Sequence, residues 1–81
     1  MYKILKVRFK FKGLPNIVLT EDGELWQLPF NSGGNYYGYR KKEMKVHQGQ
    51  LKYRINRKWY SRDKLNGISY SDDSIIKTNI L

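Results

Sequence analysis

From Leu5 to Lys12 the chain alternates without a break between apolar and cationic side chains, Leu5, Val7, Phe9 and Phe11 against Lys6, Arg8, Lys10 and Lys12. A two-residue repeat is that of a strand, because successive side chains leave the backbone on opposite sides; a helix would scatter these residues around its circumference. The segment reads as a half-buried strand with a basic outer face. Its cations either extend a basic patch formed elsewhere or blunt a sheet edge against aggregation.

Similar signals recur downstream. Gly13-Leu14-Pro15-Asn16 reads as a break, and Ile17–Thr20 as a second strand. Glu21-Asp22-Gly23 is a turn, with Asp-Gly supplying the positive φ of a tight hairpin, and Glu24–Leu28 returns until Pro29 stops it. Residues 30–38 read as a loop by composition, ending in Tyr36 and Tyr37. Lys41–Val46 is a candidate strand, and His47-Gln48-Gly49 a turn. In Gln50–Ile55, Leu51, Tyr53 and Ile55 oppose Lys52 and Arg54. Asn56-Arg57 connects this strand to Lys58-Trp59-Tyr60, where one of the two adjacent aromatics faces inward and the other outward. Ser61 suits the N-cap of a short helix near residues 62–66 that buries Leu65 and stops at Gly67. Residues 71–74 look turn-like, and 75–81 form a last strand or docked tail.

The expected architecture is mainly β: a small twisted antiparallel sheet or SH3-like barrel of five to six strands with one short helix. Residues 1–70 form a single basic domain, and 71–81 the C-terminal strand or tail. At 81 residues without cysteine, no disulfide or thiolate–metal site supports a thin core; aromatic side chains or dimerisation must supply the shortfall. Monomer and homodimer both remain open. Met1–Lys12 has no apolar run, so neither a signal peptide nor a membrane span is expected, and the location expected is cytoplasmic.

Charge is distributed very unevenly. Ten of the sixteen Lys and Arg residues lie between Arg40 and Lys64, opposed there only by Glu43 and Asp63. Such a field concentrates phosphate-bearing partners and speeds their encounter. Lys52, Arg54, Arg57, Lys58, Arg62 and Lys64 are the expected phosphate contacts, with Trp59 or Tyr60 stacking or packing beside them. The expected function is non-catalytic nucleic-acid binding, DNA favoured over RNA, with no cofactor and no membrane. The competing reading is a protein–protein module gripping an acidic partner surface, anchored by Trp26, Tyr36, Tyr37 or Trp59.

Catalytic alternatives are thin. Asp22 followed by Glu43-Met44-Lys45 loosely imitates the Asp…Glu-x-Lys spacing of metal-dependent nucleases, but Asp22 suits its hairpin turn and Glu43 sits in a charge run. His47 lacks triad or cysteine partners and reads as a turn residue. Gly33-Gly34 and Gly38 lack the strand–loop–helix context of a phosphate cradle.

Two stretches resemble the NUMOD-type DNA-recognition modules that accompany HNH homing endonucleases of phages and mobile elements. Leu19-Thr20-Glu21-Asp22-Gly23-Glu24-Leu25-Trp26-Gln27-Leu28-Pro29 is similar to the family's "S-x-D-G-x-V-x-S-L-P" hairpin. The stretch from Gln50 to Leu65 is similar to its "N-G-K-x-x-x-V-H-R-L-V" segment, with Arg57 in place of the turn glycine and Asp63 in place of the histidine. The resemblance implies DNA contact through the basic hairpin and short helix, without catalysis in this chain.

Overall fold

The computed structural model describes residues 3–78. Its elements are β1 (Lys3–Phe11), β2 (Leu14–Thr20), β3 (Leu25–Gln27), β4 (Phe30–Ser32), β5 (Asn35–Tyr37), β6 (Arg40–Lys42), β7 (Lys45–His47), β8 (Gln50–Ile55), β9 (Lys58–Tyr60), α1 (Arg62–Gly67) and β10 (Ser69–Thr78). The protein is mainly β, with antiparallel pairing throughout. A five-stranded sheet runs β10-β1-β2-β3-β6, β4 and β5 make a hairpin, and β7-β8-β9 make a three-stranded sheet. Among the described residues the main sheet stays open and no barrel closes.

Among the described residues ten strands, several only three residues long, stand where five or six were expected. The 30–38 loop is a hairpin: Gly33 and Gly34, at φ 57° and 79°, supply the two left-handed residues of a primed turn. Phe30 then faces Tyr37 with ring centroids 4.9 Å apart. The single strand expected over 41–46 is two, β6 and β7, belonging to different sheets. Leu14-Pro15-Asn16 is extended and opens β2. The break shows instead as a register jump, from Lys10 opposite Val18 to Phe11 opposite Leu14, next to a proline that cannot donate to the ladder. Residues 71–74 are no turn but the middle of β10, which pairs along β1. The 79–81 portion of the expected tail lies outside the described residues.

The alternation in β1 does not build a single basic face. Val7 lies opposite Thr20 and Phe9 opposite Leu19, so β1 carries one extra residue at Arg8, a β-bulge. An inserted residue swaps the faces of everything beyond it. Leu5 and Val7 accordingly pack with Val18 and Trp26 on one side of the sheet. Phe11 packs with Leu14, Ile17 and Leu25 on the other, under Tyr53, Ile55 and Tyr60 of the small sheet and Leu65 of α1. Both faces of the main sheet therefore carry core, the way this short chain multiplies its buried area. Each fully buried aliphatic, such as Leu25 or Ile55, contributes about 1.5–3 kcal/mol by burial.

The helix starts as expected: the Lys64 amide donates to Ser61 Oγ at 3.1 Å. It runs one residue further than expected, through Gly67, to a C-cap at Ile68, whose amide reaches the Leu65 carbonyl at 3.1 Å. At the other end of β10, the buried Thr78 hydroxyl donates to the Lys3 carbonyl at 2.9 Å and pins the strand to β1.

Candidate nucleic-acid interface

Two tight turns fix the register of the small sheet. Gln48-Gly49 sets His47 opposite Gln50 and Lys45 opposite Lys52; Asn56-Arg57 sets Arg54 opposite Trp59 and Tyr53 opposite Tyr60. All four turn residues have positive φ, 52° and 75° in the first turn, 51° and 67° in the second. Residues directly opposite in a ladder project to the same side. Tyr53, Ile55 and Tyr60 enter the core. Lys45, His47, Gln50, Lys52, Arg54 and Trp59 consequently share the outer face.

That face contains no acidic residue. Across β8 the rings of His47 and Trp59 lie parallel, 4.1 Å between centroids and 8° between planes. The Arg54 guanidinium carbon sits 5.4 Å from the Trp59 ring centroid, within cation–π range. The indole is thereby held between the His47 ring and the Arg54 guanidinium. Arg57 stands exposed at the tip of the β8–β9 turn; Lys58, though exposed, lies opposite Ile55 and so projects to the inner side.

The other expected contacts lie elsewhere. Tyr60 is the inward member of the Trp59-Tyr60 pair, buried in the core. Lys64 Nζ lies 4.8 Å from the Tyr60 ring centroid. Arg62 lines a cleft of about 270 Å³ between α1 and the main sheet, over Phe11, Leu19, Leu25 and Tyr53. Both helix cations thus border the inner layer and do not share the face of Lys52 and Arg54. Of the residues proposed as protein-binding anchors, Trp26 is buried, while Tyr36 and Tyr37 are exposed on β5. Lys45, His47 and Gln50 join the outer face without having been expected there. The signal available for them was the Gln48-Gly49 turn, which sets the register that brings β7 beside β8.

Ion pairing separates the cations of the two sheets. Lys6 pairs with Glu21 at 3.6 Å and Lys10 with Asp72 at 3.1 Å. Glu24 receives Lys41 at 3.1 Å, Lys3 at 3.4 Å and the Trp26 indole N–H at 3.3 Å. The hydrogen bond from Lys41, then that from Trp26, holds the Glu24 carboxyl below its ordinary range. Among the described residues none of these ion pairs reaches β7, β8, β9 or α1. The strand-one cations are therefore partly neutralised at home and divided between two faces. Lys42, where the main sheet passes into the small one, has its pKa lowered chiefly by burial and then by the like charges of Arg40 and Lys45.

No three acidic, histidine or cysteine side chains converge on a point among the described residues. None of the described helices is long and apolar enough to cross a membrane. Compared with family models, with curated proteins and with solved structures, the chain matches none.

Proposed function

We propose that this chain is a non-catalytic nucleic-acid-binding module that takes duplex DNA against the outer face of β7-β8-β9. One observation carries the reading: Lys45, Lys52 and Arg54 share with Trp59 a face of the small sheet without carboxylates, and Arg54 lies over the indole. Cations without carboxylate partners can exchange bound counterions for phosphates, and that release drives association. A two-stranded ribbon such as β8–β9, with Arg57 at its tip, has dimensions that fit the major groove. The likeness of Gln50–Leu65 to NUMOD-type modules points the same way. Four contacts, from Lys45, Lys52, Arg54 and Arg57, give a slope of log affinity on log salt of about −3.6 for duplex DNA.

Fluorescence anisotropy with labelled duplex DNA, single-stranded DNA and RNA at two salt concentrations tests this. The expected result is tightest binding to the duplex, steeply salt-dependent and abolished by K45E/K52E/R54E with the fold retained. Absence of binding to all three at low salt would sink the reading and turn attention to an acidic protein partner. Tightest binding to RNA would keep the face and overturn the choice of DNA.

A further inference from the structure

Arg62, Leu65 and Asn66, at spacings of three and four residues, share one face of α1, and all three line the cleft between the helix, β8 and the main sheet. Leu65 is the one residue of this six-residue helix that is buried. A helix that seats a single side chain covers little of the layer beneath it, and about 270 Å³ stays open there. Protein interiors ordinarily leave few voids larger than a water molecule. Gly23, in the turn between β2 and β3, also lines the cleft and has no side chain to close it; a Cβ at that position would meet nothing within 4 Å.

The floor of the cleft is apolar and belongs to the core. Phe11, Leu25, Tyr53 and Leu65 are buried, and Leu19 packs against the same cluster. Its polar groups come from the helix. Arg62 is the one charged residue that lines the cleft among the described residues, and it is exposed. None of the ion pairs among the described residues includes it. Asp22 and Asp63, each next in sequence to a lining residue, do not line the cleft themselves.

We propose that this cleft binds a small amphipathic carboxylate, its apolar body seated on Phe11, Leu25 and Tyr53 and its acid group turned to Arg62 and Asn66. A guanidinium presents a planar fork of N–H donors that matches the two oxygens of a carboxylate. The Asn66 amide nitrogen can add a further donor from the next turn of the helix. The volume lies just under the range of drug-sized ligand pockets, about 300–1,000 Å³, and suits one compact molecule better than a segment of chain. A nucleotide, polar around most of its surface, would leave its groups unpaired on such a floor. The cleft is also separate from the basic outer face, because Tyr53 and Arg54 project to opposite sides of β8. The proposal therefore does not depend on the nucleic-acid reading, and its test contains no nucleic acid.

Octanoate at neutral pH is the probe, with acetate and octan-1-ol as its comparisons, followed by carbon–proton NMR of the methyl groups. The signals of Leu19, Leu25 and Leu65 should shift saturably with octanoate, at millimolar affinity or tighter, and acetate should move none of them. Octan-1-ol, which keeps the apolar body and lacks the charge, should bind about fivefold more weakly, the upper range for an exposed ion pair. Arg62→Gln alters an exposed side chain and leaves the floor intact, so circular dichroism should match wild type. In that variant octanoate should lose the same factor of about five and fall level with octan-1-ol. No saturable shift at the three leucines, equal affinity of the wild-type chain for octanoate and octan-1-ol, or an Arg62→Gln variant that binds octanoate as wild type does would each overturn the proposal. Tighter binding of an N-acetylated tripeptide ending in a free phenylalanine carboxylate would overturn the choice of a small free acid as the occupant.

Discussion

Arg57 occupies a backbone position that its side chain disfavours. At φ 67° it sits in the left-handed region, where a non-glycine residue costs roughly 1–2 kcal/mol. The second residue of such a turn is usually glycine. Arg57→Gly removes that cost but restores about 0.5–1 kcal/mol of backbone freedom to the unfolded chain. The net expectation is a gain of about 0.5–1 kcal/mol, or roughly 2–8 °C in Tm for a domain of this size. The same substitution deletes the charge at the tip of the ribbon. If Arg57 contacts a phosphate, the salt slope on duplex DNA becomes shallower by about 0.9. Stability and binding therefore move in opposite directions in one variant. Gln48→Asn supplies the control, because at φ 52° it turns the other hairpin into Asn-Gly without altering charge. It should raise Tm and leave the salt slope alone. Thermal melts and anisotropy at several salt concentrations read both quantities. A variant Tm at or below wild type would refute the strain argument, and a raised Tm with an unchanged slope would remove Arg57 from the interface.

Trp59 and Tyr60 are adjacent yet face opposite ways, so truncating them should separate stability from binding. Tyr60→Ala should cost about 3–5 kcal/mol, seen as a large loss of Tm. Trp59→Ala should cost about 1–2 kcal/mol yet weaken DNA binding in conditions where the protein remains folded; a greater loss of Tm for Trp59→Ala would reverse the assignment of faces. Acid stability should depend on Glu24, whose carboxyl is held down chiefly by Lys41 and then by Trp26. A lowered folded-state pKa contributes stability that is present above the unfolded value of 4.5 and lost as pH falls through the folded value. Glu24→Gln should flatten that acid limb in urea titrations from neutral pH downward, and an unchanged pH profile would count against the network.

Much of the fold was legible because its signals are local. The Asp22-Gly23 turn, the Ser61 cap and the alternation of Gln50–Ile55 each depend on residues a few positions apart, and each forms as the local chemistry dictates. The Gly33-Gly34 hairpin was legible too, through its paired glycines, but its strands Phe30–Ser32 and Asn35–Tyr37 lack the apolar alternation that marks a strand. They have none because they stand away from the core, with β5 exposed along its length. β10 was obscured for the same reason: Ser71–Ser74 are polar, and only their pairing along β1 holds them extended.

The limit of the sequence lies in register. Alternation predicts which residues share a face only while no residue is inserted, and the bulge at Arg8 breaks that condition without any glycine or proline to announce it. The consequence reaches function. Lys6, Lys10, Lys52 and Arg54 look equivalent along the chain, as cations alternating with apolar residues. In the fold the first two meet Glu21 and Asp72, while the latter two stand on a face that has no carboxylate. Pairing with an acid some fifteen or sixty residues away depends on strand order, which local pattern does not encode. A cation paired in this way gives up part of its attraction for phosphate. The division between cations that hold the main sheet and cations offered to a partner therefore follows topology: the acids Glu21, Glu24 and Asp72 all flank the five-stranded sheet, and none reaches the three-stranded one.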